Sequence, residues 1–268
     1  MISGTKEWAK KNVNCVTGCS HDCRYCYARA NAKRFGKRTD ETWPTEEIRQ
    51  HDVERKIGKV KGTPDGGTDI MFPTTHDITP TTLDACVTML GHILESGNTV
   101  LITSKPHLDC IMKICTDFAR HNIGGTNQIM FRFSIGSKDN TILRYWDRSA
   151  PLFNERFESL ILAWTAGFRT SISVEPCLDT ANVVEMFHLL KIFVTNSIWI
   201  GKMNRVRDRV TISDETDERM VSAIEAGQTD DKVREVYEAL KNEPLVRWKE
   251  SYRLVLGLPL ADEAGTDQ

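Results

Sequence analysis

Residues 12–29 read NVNCVTGCSHDCRYCYAR, a short β-branched run that ends in a loop holding four of the chain's eight cysteines. The spacing is Cys15-x3-Cys19-x3-Cys23-x2-Cys26, with tyrosines on both sides of the last cysteine and arginines close by. Such a run suits a disulfide knot, a zinc site, a closed electron-transfer cluster, or an iron–sulfur cluster with one iron left open. The choice among them bears on fold and chemistry together, because the run follows a first strand and opens a series of alternating strands and helices.

The rest of the chain narrows the options. Its 268 residues are 40% hydrophobic and 27% charged, an ordinary globular composition, long enough for one large domain or two small ones. A net charge of −2 argues against a chain-wide polyanion binder and leaves room for local basic patches. The opening MISGTKEWAKKNVNC has no apolar h-region, and no apolar run approaches the roughly 18–20 residues that span a bilayer. The expectation is a cytoplasmic protein with no membrane segment, where thiols stay reduced and a disulfide knot is disfavoured. Cys86, Cys110, Cys115 and Cys177 are scattered, as small buried hydrophobes would be.

Apolar runs and helical patterns alternate from the cysteines almost to residue 200. TDIMF (68–72), TVLIT (99–103), QIMFRFSI (128–135), TSISVE (170–175) and SIWIG (197–201) are β-branched or aromatic and read as strands, with NVNCVTG (12–18) a weaker first one. Helical periodicity covers 81–96, with Thr79 or Thr81 as cap, 108–122, ending before Gly124-Gly125, and then 154–167 and 182–193. Strands alternating with helices imply an α/β fold, with a parallel sheet of right-handed βαβ units. Residues 37–67, expected helical around 45–58, and 136–153 interrupt the rhythm. Residues 213–256 read as two or three helices, and the closing ADEAGTDQ as a frayed tail. The expected division is an α/β domain over 1–204, a helical C-terminal extension over 205–260 and a flexible tail over 261–268.

Ligand chemistry then separates the metal options. Four-cysteine zinc sites usually draw their ligands as two separated pairs, whereas this chain has one run, no second CxxC and no matching Cys/His pair downstream. A zinc-stabilised nucleic-acid-binding module stays as one alternative. A closed cluster in a non-catalytic electron-transfer protein is another, and it needs Cys15 as fourth ligand. Cys15 alternates with Val13 and Val16-Thr17 in the first strand, where it serves equally well as core. Without it Cys19, Cys23 and Cys26 remain, and three thiolates on four irons leave one iron open. An open position is what separates catalytic from structural metal sites.

The segment Cys19-Ser20-His21-Asp22-Cys23-Arg24-Tyr25-Cys26 resembles the signature of the radical S-adenosylmethionine superfamily, CxxxCxxC with an aromatic before the last cysteine. Gly18-Cys19-Ser20-His21 and Tyr25-Cys26-Tyr27-Ala28-Arg29 look most like the spore photoproduct lyase-like group. The resemblance covers about residues 12–204 and implies a partial (β/α)6 barrel. It also implies a [4Fe–4S] cluster on Cys19, Cys23 and Cys26, with the open iron chelated by the methionine end of S-adenosylmethionine. Reductive cleavage would then yield a 5′-deoxyadenosyl radical, with the electron supplied by a reductase or flavodoxin-type donor.

The same resemblance assigns site residues. The neighbourhood of Tyr25 would contact the adenine. PTTHD (73–77) stands where the family has a glycine-rich segment, so Thr74, Thr75 and Asp77 are candidates for the methionine ammonium. Polar residues at C-terminal strand ends are where α/β barrels place their chemistry, which brings in Lys105, Ser134 and Glu175. Ser134 would lie near the ribose, and Arg156 and Glu175 near the cofactor's carboxylate and ribose hydroxyls. Photoproduct lyases return a hydrogen atom from a cysteine, and Cys177 is the candidate here. Arg24, Arg29, Lys33, Arg34, Lys37 and Arg38, with Lys202, Arg205, Arg207 and Arg209, make a nucleic acid or nucleotide a candidate substrate.

Overall fold

The computed structural model describes residue 2, residues 4–122 and residues 127–266. In chain order the strands are β1 (Lys11–Asn12), β2 (Val16–Thr17), β3 (Glu47–Ile48), β4 (Ile70–Phe72), β5 (Val100–Ser104), β6 (Ile129–Ser134), β7 (Arg169–Val174), β8 (Ile198–Ile200) and β9 (Val246–Trp248). The helices are α1 (Tyr27–Arg34), α2 (Gln50–Val53), α3 (Leu83–Glu95), α4 (Leu108–Asp117), α5 (Asn140–Trp146), α6 (Phe153–Thr165), α7 (Val183–Leu190), α8 (Val206–Arg209), α9 (Glu215–Gly227), α10 (Asp230–Leu240) and α11 (Glu250–Leu256). Seven strands form one sheet in the order β1-β4-β5-β6-β7-β8-β9, every neighbouring pair parallel. An order that never doubles back, joined by right-handed crossovers, stacks its helices on one face.

Side-chain alternation shows what the two faces do. Ile70 and Phe72, Val100 and Ile102, Ile129 and Phe131, and Ile198 and Ile200 point toward the helices and join the large core built on α3, α4, α6 and α7. The residues between them, Met71, Leu101, Met130 and Trp199, form a separate small cluster with Trp8 and Ala9 on the opposite face. Trp8 precedes the first strand of the sheet, and Trp199 lies on the sixth. In a flat sheet five steps of about 4.8 Å would hold them roughly 24 Å apart, yet their rings are 5.7 Å apart. The sheet is therefore strongly curled around that inner cluster. Among the described residues, no ladder joins β1 to β9.

Several expectations need correcting. The segment 12–18 is not one strand: Lys11–Asn12 starts the sheet, whereas Val16–Thr17 pairs antiparallel with Glu47–Ile48. The helix expected around 45–58 shrinks to Gln50–Val53. Thr82, not Thr79 or Thr81, sits at the start of α3, and it makes no side-chain capping bond. The region 213–256 is not wholly helical, because β9 extends the sheet beside β8. The three residues of β9 are too short a run to show a period. The tail is not wholly frayed either, since Gly265 donates to Lys6 O at 2.8 Å and its carbonyl accepts from Thr68 N at 3.1 Å. The stop at Gly124-Gly125 and the last two residues, 267–268, lie outside the described residues.

Candidate functional site

The cysteine loop is held by backbone contacts that its sequence makes possible. Gly18 has φ +83°, and a Cβ there would lie 2.2 Å from Thr45 O, so only glycine fits. Cys19 N then donates to Trp43 O at 3.0 Å, and both the N–H and Oγ of Ser20 donate to Glu46 Oε1. Further on, Arg24 N donates to Trp146 O at 2.9 Å and Ser149 N to His21 O at 3.2 Å. Arg29 closes the loop from inside, through an ion pair to Asp22 at 2.9 Å and a hydrogen bond to Arg24 O at 2.6 Å. Cys26 caps α1, its Sγ accepting from Arg29 N at 3.5 Å.

Above the C-terminal ends of the strands lies a cavity of about 1160 Å³. Cys19, Cys23 and Cys26 line it together with Tyr25, Thr74, Thr75, Asp77, Lys105, Ser134 and Glu175. Burial raises the pKa values of the Cys19 and Cys23 thiols. Cys15 does not line the cavity. It is fully buried on the helix side of the sheet with Cys86 in the same core, and its backbone N–H donates to His76 Nε2 at 3.2 Å. The Cys86 thiol, followed by His76, holds the Cys15 pKa low. Among the described residues, no three His, Cys, Asp or Glu side chains gather around one metal-ion position, which a tetrahedral zinc ion would need. A four-iron cluster spreads its thiolates over different irons, so its ligands need not converge on one point.

Asp77 is the best-anchored carboxylate of the cavity. It accepts from Ser104 Oγ, from Lys105 N at 2.9 Å and from Ile78 N at 2.8 Å. His21 Nδ1 lies 3.2 Å from its Oδ2, outside hydrogen-bond alignment. Burial alone would raise the Asp77 pKa, but His21, Lys105 and the Ser104 bond hold it well below the usual carboxylate range. Burial opposes the charge of Lys105, and the Asp147 and Asp77 carboxylates beside it help to raise its pKa again, with its Nζ 5.6 Å from the Tyr25 ring centre. Thr74 and Thr75 are fixed by Asn14, whose Oδ1 accepts both backbone N–H groups at 2.7 and 2.8 Å. Burial raises the Glu175 pKa against the pull of Lys249 Nζ, 3.5 Å away.

Two expected site residues sit elsewhere. Arg156 is fully buried and does not line the cavity; it pairs with Asp147 at 2.8 Å and donates to Pro151 O and Ser134 O. It cannot reach a cofactor carboxylate, because its guanidinium is consumed in holding Asp147, which in turn accepts from Tyr25 Oη. Cys177 is likewise outside the cavity. Past the end of β7 its N–H donates to Gly201 O at 2.9 Å, and its thiol packs in the core 3.7 Å from Thr180 Oγ1, with burial raising its pKa to about 11. Residues that sequence reasoning missed are Asn14, Asp147 and Lys249. None carries a local signal, since each acts on a partner at least sixty positions away.

Among the described residues, no helix is long and apolar enough to cross a membrane. No family model matches the chain. No curated protein matches it at a significant level.

Proposed function

We propose that the chain is a radical S-adenosylmethionine enzyme whose curled α/β sheet is a partial (β/α)6 barrel. The observation that carries the reading is the division of the cysteines: Cys19, Cys23 and Cys26 face one cavity at the C-terminal strand ends, and Cys15 is in the core. The residues present fit a [4Fe–4S] cluster on three thiolates, and Cys15 is not available to close it. When bound, such a cluster and S-adenosylmethionine supply a one-electron reduction that yields a primary carbon radical able to take hydrogen from an unactivated C–H. A reductase or flavodoxin-type protein would supply the electron.

The chain's own residues bind, orient and exclude water. Asp77, ionised and held by Ser104 and Lys105, accepts from an ammonium group, with Thr74 and Thr75 presented beside it by Asn14. Glu175 and Ser134 offer acceptors for ribose hydroxyls on the far wall. Lys105 keeps a positive charge beside the Cys23 thiol and the Tyr25 ring, which favours the thiolate needed for iron. Trp8 and Trp199 floor the inner face and keep water from entering beneath.

The test is anaerobic: reconstitute the cluster, reduce it with dithionite, add S-adenosylmethionine and separate the products by chromatography. The parent should release 5′-deoxyadenosine and methionine, and Cys23→Ala should release neither. A parent that holds a reducible four-iron cluster and releases no 5′-deoxyadenosine would overturn the reading.

A further inference from the structure

Behind Glu175 the wall of the cavity holds two buried charges that do not line it. Lys249, one residue past β9, is 1% exposed, and so is Glu7, in the single helical turn Gly4–Glu7 that precedes β1. The Lys249 ammonium touches Glu7 Oε2, donates to Gly4 O at 3.1 Å and lies 3.5 Å from Glu175 Oε2. Indole rings close another side, with Nζ 4.3 Å from the Trp8 ring centre and 5.6 Å from that of Trp199. The fit is tight. A Cβ at Gly201, just past β8, would come within 2.8 Å of Lys249 Cβ and 3.2 Å of Glu175 Cγ, so glycine there lets the lysine and the glutamate meet.

Two carboxylates thus share one ammonium. Among the described residues, the ion-pair contacts of Glu7 and Glu175 are with Lys249 alone. Other charges face the pair from further off. Glu250 on α11 is taken by Gly4 N at 3.0 Å, and Arg253 on the same helix donates to Trp248 O and Pro259 O. Arg209 on α8 and the Tyr27 hydroxyl on α1 face Glu175. Arg132 on β6 lies against Trp8 at 4.6 Å and is bonded to Ser171 and Ser197. With both glutamates ionised, the triad would hold a surplus negative charge in a dry wall, and a buried surplus charge is relieved by binding a proton. Burial raises the pKa of both carboxyls, with Lys249 opposing it. Contact decides which one takes the proton: Glu7 touches the ammonium, and Glu175 stands farther from it.

We propose that Glu7 and Glu175 hold one proton between them, carried on Glu175, so that the cavity wall meets its ligand with a neutral carboxyl. A carboxylate only accepts hydrogen bonds, whereas the neutral group donates through its O–H and still accepts through its carbonyl oxygen. The ligand group against this wall is then an uncharged one that does both, as a hydroxyl does. Glu7 and Lys249 are positioning residues that act through Glu175, and they tie the first turn of the chain to the site. For the ligand's identity the inference rests on the radical reading; the shared proton stands on the buried charges alone.

The probe is the infrared band of a neutral carboxyl, read on the full chain with its cluster reconstituted and again after adding S-adenosylmethionine. At neutral pH the parent should show the band and Glu175→Gln should lose it, while Asp69→Asn, at the opposite end of the sheet, keeps it. In Glu7→Gln the ammonium serves Glu175 alone, so the band should vanish at a lower pH than in the parent. S-adenosylmethionine should shift the band without removing it. A parent that lacks the band, a band that survives in Glu175→Gln, or a Glu7→Gln protein that titrates like the parent overturns the shared proton. A band that S-adenosylmethionine removes or leaves unmoved, in a preparation that releases 5′-deoxyadenosine, overturns the donor role. The band with no such release is failure of the radical reading alone, because the shared proton needs no cofactor to be seen.

Discussion

The two ends of the sheet carry similar polar residues and use them differently. At the N-terminal ends, Asp69 accepts from Lys59 Nζ and Thr63 Oγ1, both at 2.6 Å, and from Thr99 N at 2.9 Å. Thr170 and Thr195 exchange bonds there, and Ser171 accepts from Arg132 Nε at 2.9 Å and donates to Ser197 O at 2.7 Å. At the C-terminal ends, Thr74, Thr75, Lys105, Ser134 and Glu175 border an open volume of about 1160 Å³. A polar residue at a strand end is therefore no mark of a site by itself. What separates scaffold from site is whether the polar groups consume one another or face space that a ligand can fill.

The comparison breaks most visibly at the cysteines. Cys23→Ala should lower 5′-deoxyadenosine release by at least about a thousandfold, or more than about 4 kcal/mol of barrier, with loss of iron. A variant at the opposite end, such as Asp69→Asn, should leave release per folded molecule within about twofold. Loss of activity from Asp69→Asn in protein that stays folded would erase the distinction between the ends.

Arg156 is the next sharpest test, because sequence reasoning assigned it to the cavity and the structure assigns it to the scaffold. Arg156→Met strands the buried Asp147 carboxylate, and removing one partner of such a pair costs about 3–5 kcal/mol. Chemical denaturation should show that loss, and Asp147→Asn added to it should recover part. A stable Arg156→Met protein with a raised KM for S-adenosylmethionine would return the residue to the site.

Asp69 gives a smaller effect with a pH signature. Burial opposes its charge, but Lys59, Thr63 and Thr99 prevail and lower its folded pKa. A lowered pKa means that the ionised form stabilises the fold above the ordinary carboxylate value of about 3.9, and that this contribution fades as pH falls through the folded value. Asp69→Asn should thus cost about 1–3 kcal/mol at pH 7, the range for losing charged hydrogen bonds. Its deficit should narrow in acid. A deficit independent of pH between neutrality and the acid limit would deny the carboxylate that role.

Much of this was legible in the sequence for a physical reason. Runs such as QIMFRFSI alternate between two buried faces, and a β-branched or aromatic run bounded by turn residues declares a strand whatever packs on it. Cys19, Cys23 and Cys26 were legible as a set because short spacing within one loop brings their side chains to one cavity. What stayed hidden was set by distant partners. Val246–Trp248 becomes a strand only because β8 is there to pair with it. Arg156 looked like a free cation although its counter-ion, Asp147, is only nine positions upstream, because the turn between α5 and α6 that brings the two together has no period to read. Cys177 was placed at the mouth by counting from β7, but alternation ends where the strand ends.

Cys177→Ala should have the smallest effect of all, and it decides how far strand counting can be trusted at that mouth. The thiol packs among core residues, and its pKa of about 11 reflects burial there and not contact with the cavity. Losing one buried sulfur should cost about 1 kcal/mol of stability, the ordinary size for a point substitution, with 5′-deoxyadenosine release unchanged. The same variant assayed for incorporation of solvent deuterium into a turned-over substrate should match the parent, because a thiol outside the cavity returns no hydrogen atom to it. A changed deuterium content would mean that the segment after β7 turns its cysteine inward during the reaction, and the boundary between scaffold and site would have to be redrawn there.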